Sequence, residues 1–295
     1  MNAYTEQPQV IEYFAKELSW LSFNERVLQE AKDKNNPIIE RIRFLGIFSN
    51  NLDEFFRVRV ADVKRRILLN KLPNANFEED EALLSQIQKK VLQLGKKFNL
   101  IHQQILNDLT AHNIHVDRPE ELTEFHLNWL KNYFHDNVLQ HISPILLDEN
   151  KDYSDYINDT MTYLFVEMSD EKSHFAMLEV PTDRVSRFII LPPEKTRRHK
   201  TIVMLDDVIL YFLNDVFSNF FTFETIQGHA IKLTRDAEYN LDDELEEGLL
   251  DKMSKGLKQR IYAEPVRLVY DEAMPESMLK VMKKRLNVTH HDALI

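Results

Sequence analysis

Asn51 sits in a line of aromatic residues. Phe44, Phe48, Asn51, Phe55 and Val58 recur every three or four positions, so on a helix they form one stripe. An amide among phenyl rings suits an adenine: the rings supply a stacking wall, and the amide supplies a donor and an acceptor. Cations follow on the next turns at Arg57, Arg59, Lys64, Arg65 and Arg66. A structural reading accounts for the same residues. Phe and Leu stripes form helix cores, Asn51 beside Ser49 and Asp53 can make local hydrogen bonds that bend a helix, and the cations can form a solvated face.

Other chemistries lack their residues. The chain has no cysteine, hence no disulfide, thiolate metal site or thiol nucleophile. Its five glycines (Gly46, Gly95, Gly228, Gly248, Gly256) are scattered, so no Gly-rich loop can cradle phosphates. Neither a zinc-protease His-Glu-x-x-His nor a Gly-x-Ser-x-Gly elbow occurs. His290-His291 has no acidic partner at metal-ligand spacing, and His112 and His115 read as surface residues flanking a loop. Asp53-Glu54 and Asp206-Asp207 read as helix-turn residues. No catalytic constellation emerges from spacing alone.

A net charge of −11 argues against a general nucleic-acid binder, although a local basic channel for a polyanion stays compatible with it. Residues 1–9 are polar and carry no secretory signal, and no apolar run is long enough to span a membrane. A cytoplasmic protein is expected.

The elements that must position Asn51 read as helices. Trp20, Leu21, Phe23, Val27 and Leu28 predict an amphipathic helix, with Ser22 and Glu25 as a capping box. Asn35-Asn36-Pro37 breaks it. A central helix follows from Ile38, with a bend expected near residues 49–51, and residues 70–76 form a loop. Leu84, Ile87, Val91, Leu94, Phe98, Ile101, Ile105 and Leu109 keep a heptad-like seam that ends at His112-Asn113. Three helices with short connections predict an antiparallel bundle over residues 1–113.

Residues 114–295 change pattern. One helix is expected over 122–142, then an antiparallel meander over 161–168, 175–180 and 187–191, then a basic loop at 196–200. A helix at 205–217, a strand at 229–234, a helix at 240–260, a strand at 265–270 and a helix from Pro275 to near Leu286 complete it. The fold class predicted is α+β: an N-terminal antiparallel helical bundle followed by an α+β domain with an antiparallel sheet.

The run Glu17 to Ala31 and residues 43–56, with the core Ser49-Asn50-Asn51-Leu52-Asp53-Glu54-Phe55, closely resemble the N-terminal region of bacterial polyphosphate kinase of the phosphohistidine-forming type. The likeness continues through Leu191-Pro192-Pro193, residues 233–239 and residues 263–267, and spans nearly the whole chain. It implies an N-terminal helical domain, then a head domain, in an enzyme that reversibly transfers the terminal phosphate of ATP to polyphosphate. The family's nucleophilic His, its partner His and its magnesium ligands lie in two further domains. The chain is therefore expected to be an inactive fragment, with magnesium held outside it and no catalytic residue within it.

By the same resemblance Asn51 contacts the adenine of ATP, with Phe44 and Phe55 as neighbours suggested by spacing. The resemblance also implies that basic residues line a polyphosphate tunnel. Arg65, Arg66, Arg197 and Arg198 are the candidates, since Arg pairs bidentately with phosphate oxygens. A homo-oligomer, dimer or higher, is implied through the head domain, with possible membrane association of the full enzyme. The alternative is a non-catalytic dimerisation module that binds no nucleotide alone.

Overall fold

A computed structural model describes residues 15–69, 77–195, 198–236, 265–288 and 293–294. The loop expected over 70–76, the helix expected over 240–260, Arg197 and His290-His291 lie outside the described residues.

Helix α1 (Lys16–Lys32) begins before the expected cap. Ser22 lies inside the helix, and its hydroxyl donates back to the Leu18 carbonyl at 3.0 Å. After Pro37, α2 (Ile38–Phe55) runs back along α1, since Trp20 meets Phe55 while Asn24 meets Asn51. Through residues 49–51, where a bend is expected, α2 continues as unbroken helix, and the Asn51 side chain bonds across to α1 rather than to its own backbone. A π-helical turn, Phe56–Val60, comes instead after Phe55 and leads into α3 (Ala61–Leu69). The widened turn brings the consecutive pairs Phe55–Phe56 and Val60–Ala61 inward, all 2% exposed or less.

Helix α4 (Phe77–Thr110) packs against α1, α2 and α3, and buries Leu84, Ile87, Val91, Leu94, Ile101, Ile105 and Leu109 as the seam requires. Asn113 follows in the left-handed region (φ 58°), where Asn is one of the few side chains tolerated.

The second region carries β1 (Ile114–Val116), α5 (Glu124–Tyr133), β2 (Ile145–Leu147), β3 (Tyr163–Ser169), β4 (Ser173–Glu179), β5 (Phe188–Ile190) and β6 (Lys200–Met204). It continues with α6 (Leu205–Tyr211), α7 (Leu213–Phe217), β7 (Thr225–Arg235), β8 (Pro265–Tyr270), α8 (Glu276–Arg285) and β9 (Ala293–Leu294). The single helix expected over 122–142 is α5, a π-helical turn (Phe134–Val138) and a short 3-10 turn. Phe134 and Val138 are fully buried by that arrangement.

Two sheets form. The larger has the order β2-β4-β3-β7-β8-β9 and is antiparallel except at β8–β9. Central β3 is buried on both faces: Leu164, Val166 and Met168 join the core under α5–α7, while Tyr163 and Phe165 join the core under α8. Gly228 on β7 lets the helices approach, since a Cβ there would lie 2.8 Å from Leu210 Cδ2. The smaller sheet is β1-β6-β5. It corrects two expectations. Residues 188–190 leave the meander and pair with β6, and the basic loop gives way to strand at Lys200. The parallel partner of β6 is β1, far earlier in the chain. The α+β class holds: a helical bundle followed by a largely antiparallel sheet with helices packed on it.

Candidate functional site

The α1–α2 seam holds Asn51 where two antiparallel helices exchange side chains every turn. Trp20 and Phe55 stack with ring centroids 4.7 Å apart. One turn further along each helix, Asn51 Nδ2 donates to Asn24 Oδ1 at 3.1 Å. Asn24 is fully buried, and its own Nδ2 donates to the Phe48 carbonyl at 3.2 Å. Asn51 itself is half-buried. Among the described residues, no group hydrogen-bonds its Oδ1.

The neighbours proposed from spacing divide. Phe44 is half-buried and packs against the helical core. Phe55 is 1% exposed, with one face on Trp20 and its edge against Phe56, so it backs the seam rather than facing solvent. Trp20, half-buried beside it, is the ring that reaches the surface there. Sequence reasoning passed over Trp20 and Asn24 as site residues. The signal available was their own four-residue spacing, which matches that of Asn51 and Phe55.

Arg65 and Arg66 are engaged inside the chain. Arg65 reaches Asp236 at 3.1 Å, and the Asp236 side chain is 3% exposed. Arg66 bonds Asp62 at 2.5 Å and Asp80 at 2.9 Å, and the Asp80 bond holds its guanidinium above the ordinary value. Arg198 is exposed and sits just before β6, a strand of the smaller sheet.

Asp53 is more than a helix-turn residue. Its carboxylate accepts from Lys232 Nζ at 2.5 Å and from Arg267 at 2.9 Å, joining α2 to β7 and β8. Burial pushes Arg267 below the ordinary guanidinium value; Asp53 opposes that shift, and the guanidinium also lies 4.8 Å over the Phe56 ring. Lys64 donates to the Val266 carbonyl at 3.0 Å beside it, and Val266 is buried in the helical core. The seam is thus fixed to the second region by its own helix.

Among the described residues, one cluster has metal-ligating residue types. His115, Asp117 and His199 bring ligand atoms within 4.8 Å of one another, and His115 is half-buried on β1 rather than in a surface loop. The two imidazoles stack at 3.9 Å, closer than the about 5 Å that nitrogen–metal bonds of about 2 Å allow two rings on one ion. Two imidazoles and one carboxylate also mismatch magnesium, which takes oxygen ligands.

Residues 13–116 match the family model for the polyphosphate kinase N-terminal domain, and residues 126–295 match that for the polyphosphate kinase middle domain. Proteins named polyphosphate kinase from Vibrio cholerae and Escherichia coli K12 are 48% and 44% identical over 284 residues, 96% of this chain. The crystal structure of polyphosphate kinase from Porphyromonas gingivalis superposes with a TM-score of 0.77 at 31% identity, over 97% of this chain and 39% of that one. The chain spans about 40% of the length of the curated relatives it matches.

Proposed function

The chain belongs to the polyphosphate kinase family, spanning its N-terminal and middle domains, and on that premise we propose that its helical region holds the adenine of ATP for phosphoryl transfer to polyphosphate. The observation that carries this is the Asn51 amide: half-buried, anchored through its nitrogen, and left with an acceptor that no described residue uses. The stacked Trp20–Phe55 pair lies one turn away and supplies aromatic surface.

On this reading the chain contributes positioning rather than bond-making. Phosphoryl transfer depends on alignment and charge stabilisation, so a fixed base subsite contributes through orientation. The phosphorylated His, its partner His and the magnesium ligands are assigned to other parts of the longer family proteins, and transfer is reversible. Alone, this chain binds nucleotide weakly and does not turn over. Of the four arginines expected on the polyphosphate path, Arg198 is the described one that stays exposed, so it keeps that role here, while Arg65 and Arg66 act within the chain.

The test is Asn51→Ala in a full-length enzyme carrying this chain. One amide hydrogen bond contributes about 0.5–1.5 kcal/mol, so KM for ATP rises roughly threefold to tenfold with kcat little changed. An unaltered KM would remove the adenine role.

A second reading, self-association through the second region, is favoured by β5. It is an edge strand, and its Phe188 and Ile190 are 53% and 63% exposed. If a second copy covers that edge, light scattering gives a dimer or higher, and Ile190→Lys shifts it toward monomer; a mass unchanged by the substitution speaks against this edge.

A further inference from the structure

We propose that Asn24 is a positioning residue that makes the base subsite select adenine over guanine. The inference rests on the adenine reading of Asn51.

The two ends of a side-chain amide are nearly the same size, so an amide alone cannot tell a donor from an acceptor on a base; it can turn over and serve either. Something unambiguous must fix it. Here that is the Phe48 backbone carbonyl, which can only accept. It takes Asn24 Nδ2 at 3.2 Å, which turns Asn24 Oδ1 toward α2. That oxygen takes Asn51 Nδ2 at 3.1 Å. Asn51 is therefore held by its nitrogen and presents Oδ1 outward.

Burial makes the relay directional. Asn24 is fully buried, so water cannot stand in for either partner. Turning its amide over would set its oxygen against the Phe48 carbonyl, and turning Asn51 over would set oxygen against oxygen. An unmet buried amide is costly, so both orientations stay fixed together. A base reaching Asn51 meets a fixed acceptor. Adenine offers its 6-amino donor to that atom; guanine carries a carbonyl oxygen at the same ring position. A site built around a fixed hydrogen-bonding group discriminates mainly by leaving the wrong partner unpaired.

The experiment compares ATP with GTP in the full-length enzyme carrying this chain. Asn24→Leu keeps the volume but frees Asn51 to turn over. The ratio of kcat/KM for ATP to that for GTP is expected to fall about tenfold, through a higher KM for ATP and a lower KM for GTP. In the Asn51→Ala background the same substitution changes the ratio no further. Asn24→Asp restores the preference, because a carboxyl kept protonated by burial both donates to the Phe48 carbonyl and accepts from Asn51. An unchanged ratio in folded Asn24→Leu overturns the proposal, as does an equal fall in the Asn51→Ala background. If Asn24→Leu fails to fold, Asn24→Ala decides: a fallen ratio supports the relay, and an unchanged ratio overturns it. Failure of the adenine reading is visible separately, as Asn51→Ala alone leaving KM for ATP unaltered.

Discussion

The rod formed by α2, the π-helical turn and α3 has two unlike halves. The first half packs on α1 and ends its hydrogen-bond chain at an amide oxygen with no partner among the described residues. The second half carries five cations, and four are engaged at home: Arg57 with Asp159 at 3.3 Å, Lys64 with the Val266 carbonyl, Arg65 with Asp236, Arg66 with Asp62 and Asp80; Arg59 is exposed, with no ion pair among the described residues. A run of positive charge looks like a phosphate site in a sequence, while a lone amide looks incidental. In the folded chain most of those cations find carboxylate or carbonyl partners, while the Asn51 amide oxygen has none among the described residues. On the proposed reading, the atom left without a partner after folding, rather than the run of charge, is where the base binds.

The strongest way to break this contrast is Asp53→Ala. It strips two cations of their carboxylate, and Arg267 is deeply buried, so a loss of about 3–5 kcal/mol is expected as a lower denaturant midpoint. A change under about 1 kcal/mol would mean that the rod is not anchored there. Next comes Arg65→Ala, which leaves the buried Asp236 carboxylate without this guanidinium. About 1–3 kcal/mol of stability should be lost, with polyphosphate KM in the full-length enzyme unaltered. A raised polyphosphate KM at full stability would return Arg65 to the phosphate path.

The smallest effect is a pH contrast in the second region. Asp207 is pushed up to about 6, chiefly by burial and then by Asp206. Its folded-state pKa lies above the unfolded one, so the folded state holds the proton longer. Stability attributable to this group therefore falls as pH rises from about 4 through 6, and the cost is complete above that. Asp207→Asn should raise Tm by a few degrees at pH 8 and leave it unaltered below pH 4. Thermal melts across that range check the sign, and a destabilised variant at pH 8 would contradict it.

Much of the scaffold was legible. The periods of α1, α2 and α4, the break at Pro37 and the stop at Asn113 are local facts, set by side-chain spacing and backbone preference. Fold class follows from them and from the later strands. The misreadings are tertiary. Nothing near Lys200 announces that β6 will pair with β1, and nothing near Phe188 assigns β5 to a second sheet. Ser22 looked like a cap because capping residues also occur inside helices.

The site shows the same division. Asn51 stood out as an amide among rings, but the partner that orients it lies 27 residues away on another helix. The partners of Asp53 lie 179 and 214 residues away. Spacing along one helix cannot reveal either, and the same limit made Arg65 and Arg66 look available.

The most direct test of a preformed adenine seam is calorimetric titration of this 295-residue chain with ATP, beside Asn51→Ala and Arg66→Ala. Saturable binding is expected, weakened about threefold to tenfold by Asn51→Ala and unaltered by Arg66→Ala. Binding that Asn51→Ala leaves intact, or no binding by the unaltered chain, would contradict it.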